Sequence, residues 1–502
     1  MQLGAHVTAN HGLTERAVAG VLWTSLAMGA QAVLQLVALV VMARLLSPSE
    51  FGVFSAVLVV IGFSTIFSQL GVGPALVQRP VLEERHLRVG FTLSLLFSLG
   101  LVTTVWVGAP AIARFFAIPE MIKVLRLACL VFACQGCSAV AEALAQRQLR
   151  FRWLAGVDSG AFAAGFIAVG PVLAWFGFGI WALVGAYLIQ HFVRMIWLLA
   201  ALAHPKRLLL EGQTIRELLY FGGGFTLARI GNYLAGQGDN LVVGRCLGPQ
   251  LLGLYAHSHQ LMTAPAVLVG QVLDRVLFPT MALVQLEPAR LARAYRSGTA
   301  ICTLVILPTS VVLAIVAPEL VLVLLGPAWV GAVIPFQVLT LGMLFRASYK
   351  LSDSVARATG AVYRRAWRQA IFALAVIGGA FVGQHWGLGG VAIGVLAAIT
   401  LNFVLMTELS LRLTGMSWSD FGAAHLPGIA LSLTLGVLTW VLVGWLRSLQ
   451  VAPFGLLIEV AFFVSGAGLA LCWTLPPLFL GQDARSLLRM LFTFVPQRVQ
   501  RL

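Results

Sequence analysis

Apolar runs of about 20 residues, the length that crosses a bilayer core, follow one another from Ala17 to Leu480 with only short breaks. No other feature limits the fold so strongly. In hydrocarbon every backbone polar group must be satisfied within the chain, and runs this long do so as helices. About fourteen spans can be marked out, from Ala17–Ala43 to Phe454–Leu480. Charged residues make up 10% of the chain, against about 25% in soluble proteins. The longest loops hold about 15 residues, too few for a soluble domain of about 50. The expected fold class is an all-α polytopic membrane protein.

The net charge of +15 does not indicate nucleic acid, because the basic residues punctuate the spans. With the N-terminus inside, 22 Lys and Arg in the loops and at span ends fall on one side and five on the other. That asymmetry places both termini in the cytoplasm. The start lacks a basic n-region and a small-residue cleavage site, so no cleaved signal peptide is expected. The six cysteines sit in or beside apolar runs. Cys134-x-x-Cys137 lacks a second pair, and His257 and His259 do not share a helical face, so no metal site is expected.

The seventh span, Leu219–Arg245, is the most polar. At about 100° per residue, Arg229, Asn232, Tyr233, Gly236, Gln237, Asp239 and Asn240 share one broad face. Such a stripe needs water or protein opposite it, so this helix is read as a cavity wall. Arg229 is the candidate cation for a phosphate, because guanidinium pairs bidentately with phosphate oxygens. Asp239 is the coupling-ion candidate, for a proton or sodium; no other cofactor is expected. Gln31 and Gln35 share a face with Thr24 and Met28 in span one, and Gln69 in span two could add to the cavity, as could Gln260 and Gln271 in span eight. Arg346, Lys350 and Asp353 stand at i, i+4 and i+7 in span ten, either as a basic track for an anion or as an ion-pair network. Arg194, Glu142 and Asp158, near the cytoplasmic ends of their spans, are read as structural pairs. Phe221-Gly-Gly-Gly-Phe225 lacks the spacing and lysine of a phosphate loop.

Two segments match at an offset of 201: Ala43-Arg-Leu-Leu-Ser-Pro48 with Gly244-Arg-Cys-Leu-Gly-Pro249, continuing through Gly52-Val-Phe54 and Gly253-Leu-Tyr255. The offset covers six spans, and an even number gives parallel repeats about an axis along the membrane normal. The expected division is a lobe at 1–204 (spans one to six), a lobe at 205–412 (spans seven to twelve), two further spans at 413–480 and a basic tail at 481–502. The tail could form a helix in the inner-leaflet interface.

Leu46-Ser-Pro-Ser-Glu-Phe-Gly52, Asp239-Asn-Leu-Val-Val-Gly-Arg-Cys-Leu-Gly248 and Leu251-Leu-Gly-Leu-Tyr255, with the span count, resemble the polysaccharide transporter family of the multidrug/oligosaccharidyl-lipid/polysaccharide exporter superfamily. The resemblance runs from Thr14 to about Leu480. It implies a V-shaped pair of pseudo-symmetric six-helix lobes and alternating access. The implied function is a flippase for undecaprenyl-diphosphate-linked oligosaccharide in a bacterial inner membrane, serving exopolysaccharide or O-antigen synthesis beside a polymerase and export machinery. Relatives that flip cell-wall precursor carry arginines on their first two spans; here span one has none before Arg44. Two other functions compete. A cation-coupled drug exporter of the same superfamily would want a carboxylate-rich cavity, whereas Arg194, Arg229, Arg346 and Lys350 lie within these spans. A glycosyltransferase or polymerase would need a catalytic carboxylate or metal loop, and none is found. The chain is therefore expected not to be an enzyme.

Overall fold

The computed structural model describes residues 29–68, 71–479 and 481, with backbone alone at 68, 219–228, 271–276, 279 and 477. Thr24, Met28 and Gln69, the side chain of Gln271, and the tail beyond 481 therefore lie outside the described residues. All regular structure among those described is helical. In chain order the helices are α1 (Gly29–Leu45), α2 (Pro48–Ser68), α3 (Val72–Gln78), α4 (Glu84–Phe116), α5 (Met121–Ala128), α6 (Val131–Arg147), α7 (Phe151–Phe162), α8 (Gly170–Trp175), α9 (Ile180–Ala201) and α10 (Gly212–Cys246). They continue with α11 (Pro249–Leu283), α12 (Pro288–Ile315), α13 (Ala317–Leu324), α14 (Val333–Thr340), α15 (Met343–Ala358), α16 (Val362–Gly383), α17 (Gly387–Thr414), α18 (Trp418–Ser448), α19 (Pro453–Thr474) and α20 (Pro476–Phe479). A π-helical turn, Ala163–Val169, joins α7 to α8.

Nine helices among the described residues are long and apolar enough to cross a membrane, or ten when the pair Pro327–Thr340 and Met343–Ala358, bent by 46°, counts as one. The chain is a multi-pass membrane protein. Val362–Thr414 enters that tally once, although α16 and α17 fold back on each other. Gly379 faces the backbone of Gly394, and Gly383 that of Gly390. Each helix thus brings a small-xxx-small pair to the seam, which lets the backbones touch.

Several expected spans are interrupted. The second, Phe51–Val77, breaks at Gly71, which takes φ 74° between α2 and α3. The fourth divides near Cys129, the ninth at Val316 ahead of Pro318, and the tenth at Leu341-Gly342. Hydropathy is blind to such breaks, because the apolar run continues through them.

Helix starts follow local chemistry. Ser47 and Glu50 cap α2 reciprocally: the Ser47 amide donates to Glu50 Oε2 at 2.7 Å, and the Glu50 amide to Ser47 Oγ at 3.4 Å. Pro48 then fills the first helical position, where no amide is needed. In the matching segment Gly248, at φ 85°, precedes Pro249.

The chain forms two compact units, Met1–Gly253 and Leu254–Leu502. In the first, α10 packs on α2, α3 and α4, while α6 packs on α4 and α9. In the second, α12 lies between α15 and α18, and the α16–α17 hairpin packs on α15 and α14 through α17.

Candidate functional site

Within the first unit α10 is seated by Tyr233. The Tyr233 hydroxyl donates to the Val59 carbonyl at 2.7 Å and lies against Gly62, with the ring 6.1 Å from Phe63. That contact fixes the rotation of α10 and hence where its polar groups point. Arg229 and Asn232 are exposed, whereas Asp239 and Asn240 are buried. The Asn240 amide nitrogen donates to Gln237 Oε1 at 2.8 Å, and its backbone amide to Asp239 Oδ1 at 2.9 Å. Asn240 Oδ1 is buried with no hydrogen bond among the described residues. The stripe read from the sequence is therefore divided. Its Arg229 end is exposed, and its Asp239–Asn240 end is turned into protein.

Of the span-one amides, Gln35 is exposed, and Gln31 accepts from Ser159 Oγ at 2.5 Å. Ser159 adjoins a charged node. Arg194 donates from Nε to Asp158 Oδ1 at 2.6 Å and from Nη1 to Glu142 Oε2 at 3.0 Å, tying α9 to α7 and α6. The structural pairing expected of these three is what forms.

In the second unit Arg346, Lys350 and Asp353 of α15 take different partners. Arg346 lies 3.1 Å from His259 Nε2. The Lys350 ammonium sits 5.7 Å from the Tyr349 ring centroid. Asp353 accepts from Arg357 Nε at 3.1 Å and from Arg365, so it belongs to the ion-pair network and binds α15 to α16. Among the described residues no group of His, Cys, Asp and Glu is placed to hold a metal. The cysteines are unpaired with one another.

A groove of about 770 Å³ on α16 and α17 is lined by glycines, Val382, Ile393, Ala397 and Leu401, with Trp386 at one end. Apart from the Trp386 indole, its walls offer no side chain that could hydrogen-bond a sugar or phosphate. Volume alone does not make it the site; the polar groups are elsewhere.

Sequence reading missed the partners of these groups. Ser159, His259 and the Val59 carbonyl give no local signal. Arg79 and Arg85 had entered only through the count of basic loop charges, and Glu211 and Glu217 had not been singled out.

A family model described as "Polysaccharide biosynthesis protein" matches residues 41–334. The succinoglycan biosynthesis transport protein ExoT of Rhizobium meliloti is 27% identical over 407 residues, covering 81% of this chain and 80% of that protein. The lipopolysaccharide biosynthesis protein WzxC of Escherichia coli is 23% identical over 439 residues, covering 85% and 88%. In fold, the chain is similar to the lipid II flippase MurJ in an inward closed conformation (TM-score 0.75, 15% identity, 90% of this chain and 99% of that one). It is also similar to an inward-facing multidrug transporter of the MATE family (TM-score 0.61, 16% identity, 77% and 96%). With the family model covering more than half the chain and the relatives agreeing, the protein belongs to the polysaccharide biosynthesis protein family, the polysaccharide transporters.

Proposed function

We propose that this chain is a flippase that carries undecaprenyl-diphosphate-linked oligosaccharide units across a bacterial inner membrane by alternating access, for surface polysaccharide synthesis. Relatives named for succinoglycan transport and lipopolysaccharide biosynthesis and a fold shared with a lipid II flippase support the reading. The observation that carries it is α10, a 35-residue helix bearing an exposed Arg229 and Asn232 in a largely apolar chain. An exposed guanidinium at membrane depth is costly against lipid and suits a diphosphate, to which it binds bidentately. Exposed Asn232 suits sugar hydroxyls, and Asn240, Gln31, Gln35, Gln69, Arg346 and Lys350 are the further candidates. A carboxylate-poor set of this kind does not favour a cationic drug.

In this reading α1, α10, α11 and the two arms of the α16–α17 hairpin bring the crossings to about fourteen. The lobes are 1–204 and 205–412, with both termini cytoplasmic. Asp239 is the group proposed to take a coupling proton or sodium ion, and a polymerase and export machinery would use the product.

Arg229→Ala is expected to reduce polymer export at least tenfold, about 1.4 kcal/mol or more of lost interaction, with protein abundance unchanged in the membrane. Complementation of a deletion strain, with polymer assay and immunoblot, measures both. Normal export would remove Arg229 from the mechanism. The wider reading is tested by the deletion strain itself, which should accumulate lipid-linked oligosaccharide. Drug sensitivity with intact polysaccharide would overturn it.

A further inference from the structure

The loop from Arg79 to His86 and the strap 202–211 form a charged seam that the reading above leaves unused. Arg79 pairs with Glu217 in the first turns of α10. Arg85 pairs with Glu83 at 2.8 Å and reaches Glu211 at 3.6 Å. The strap is fastened beside them. Arg88 Nε donates to the Arg207 carbonyl at 3.2 Å, and the Leu209 amide to Thr92 Oγ1 at 3.0 Å. His204 packs 5.7 Å from the Phe91 ring. Burial holds that imidazole below its ordinary pKa, opposed by its bond to the Leu202 carbonyl and helped by Lys206. The shift favours the neutral ring, which suits its packing on Phe91.

The loop is also pre-positioned. Arg147 donates to the carbonyls of Leu76 (3.2 Å), Val77 (3.3 Å) and Pro80 (3.0 Å), and to that of Arg79, capping the end of α3. A guanidinium spent on four carbonyls fixes the backbone from which Arg79 projects. Meanwhile Glu211 and Glu217 are oriented from their own helix, by Thr214 Oγ1 at 2.6 Å and Gln213 Nε2 at 3.3 Å. All four paired side chains are partly exposed, between 27% and 44%.

We propose that Arg79 and Arg85 form an anion-receiving site for a diphosphate at the end of the first unit where α10 begins, and that Glu217 and Glu211 are built-in anions that occupy it until displaced. The identity of the anion rests on the glycolipid reading. Exposed carboxylate pairs are weak, so they can be exchanged. A diphosphate brings more charge and bidentate geometry to the same guanidinium groups, and Lys206, Arg207 and Arg216 add attraction at longer range. Its arrival would free both glutamates, and with them the strap and the first turns of α10. Ligand entry would thereby loosen that end of the helix.

Inorganic pyrophosphate is the probe, titrated calorimetrically into the purified full-length protein in detergent, with sulfate at matched ionic strength as control. Glu211→Gln with Glu217→Gln should bind pyrophosphate about tenfold more tightly than wild type. Arg79→Ala with Arg85→Ala should not bind it. Pyrophosphate should also raise amide exchange across residues 202–218 of the wild type. The exchange of charges, Arg79→Glu with Glu217→Arg, keeps an ion pair and so should keep the melting temperature, yet it should weaken pyrophosphate binding. Unchanged affinity in the double glutamine variant, or wild-type binding in the charge exchange, would overturn the proposal. Failure of the glycolipid reading has a separate signature: no lipid-linked sugar in the deletion strain while pyrophosphate binding persists.

Discussion

Gly52→Val is expected to abolish polysaccharide export in a complemented deletion strain, and Gly253→Val to do the same. The two glycines make one reciprocal contact. A Cβ on Gly52 would fall on the Pro249 carbonyl and within 3.0 Å of the Gly253 nitrogen. A Cβ on Gly253 would fall on the Pro48 carbonyl and within 3.1 Å of the Gly52 nitrogen. Each residue and its counterpart are 201 positions apart, so the two matching segments touch each other with exchanged partners. The obstructing atoms are backbone in the first turns of α2 and α11, which cannot turn aside as a side chain can. The helix ends must separate instead. Overpacking of a core typically costs about 1–3 kcal/mol, and a rigid opposing wall puts this site at or above the top of that range. Gly100 is the control: nothing lies within 4 Å of a Cβ placed there. Gly100→Ala should be neutral or mildly stabilising, since alanine is the better helix former by about 1 kcal/mol. Export assay, membrane abundance and thermal melting of the three variants provide the comparison. Full activity and an unchanged melting temperature in Gly52→Val would refute the contact.

The second large effect is expected at Asp353. Its carboxylate is 9% exposed and lies between Arg357 and Arg365, and the Arg357 guanidinium is 4.5 Å from the Phe278 ring centroid. Asp353→Asn keeps the shape but leaves two guanidinium groups facing each other without the anion between them. Breaking a buried pair from one side costs about 3–5 kcal/mol; the partial exposure of the arginines places the expected loss near 3 kcal/mol. Lys350→Ala, one turn away on the same helix, should change stability by less than about 0.5 kcal/mol, because among the described residues its ammonium is set against the Tyr349 ring rather than a carboxylate. Thermal or denaturant unfolding in detergent distinguishes the two. Equal melting temperatures would show that the network carries no stability.

Some of this was legible in the chain itself. Apolar run length is a sum over neighbours, so the helical membrane class follows from local composition, and the basic clusters fixed the expected topology in the same way. The repeat about Pro48 and Pro249 was visible because its residues recur at one offset. The breaks at Gly71, Val316 and Leu341-Gly342 were not visible, since they leave the hydropathy of the run intact. Helical periodicity set Arg229, Asn232, Asp239 and Asn240 on one broad face. It could not say that the first two would be exposed and the last two buried, because that depends on which neighbours cover α10 and on the turn imposed by Tyr233 and Val59, 174 residues apart. Charge partners were equally hidden, as with Arg79 and Glu217, 138 residues apart. Hydropathy, capping and repeats are properties of the chain read along its length. Burial and ion pairing depend on distance in space, and only packing brings those groups together.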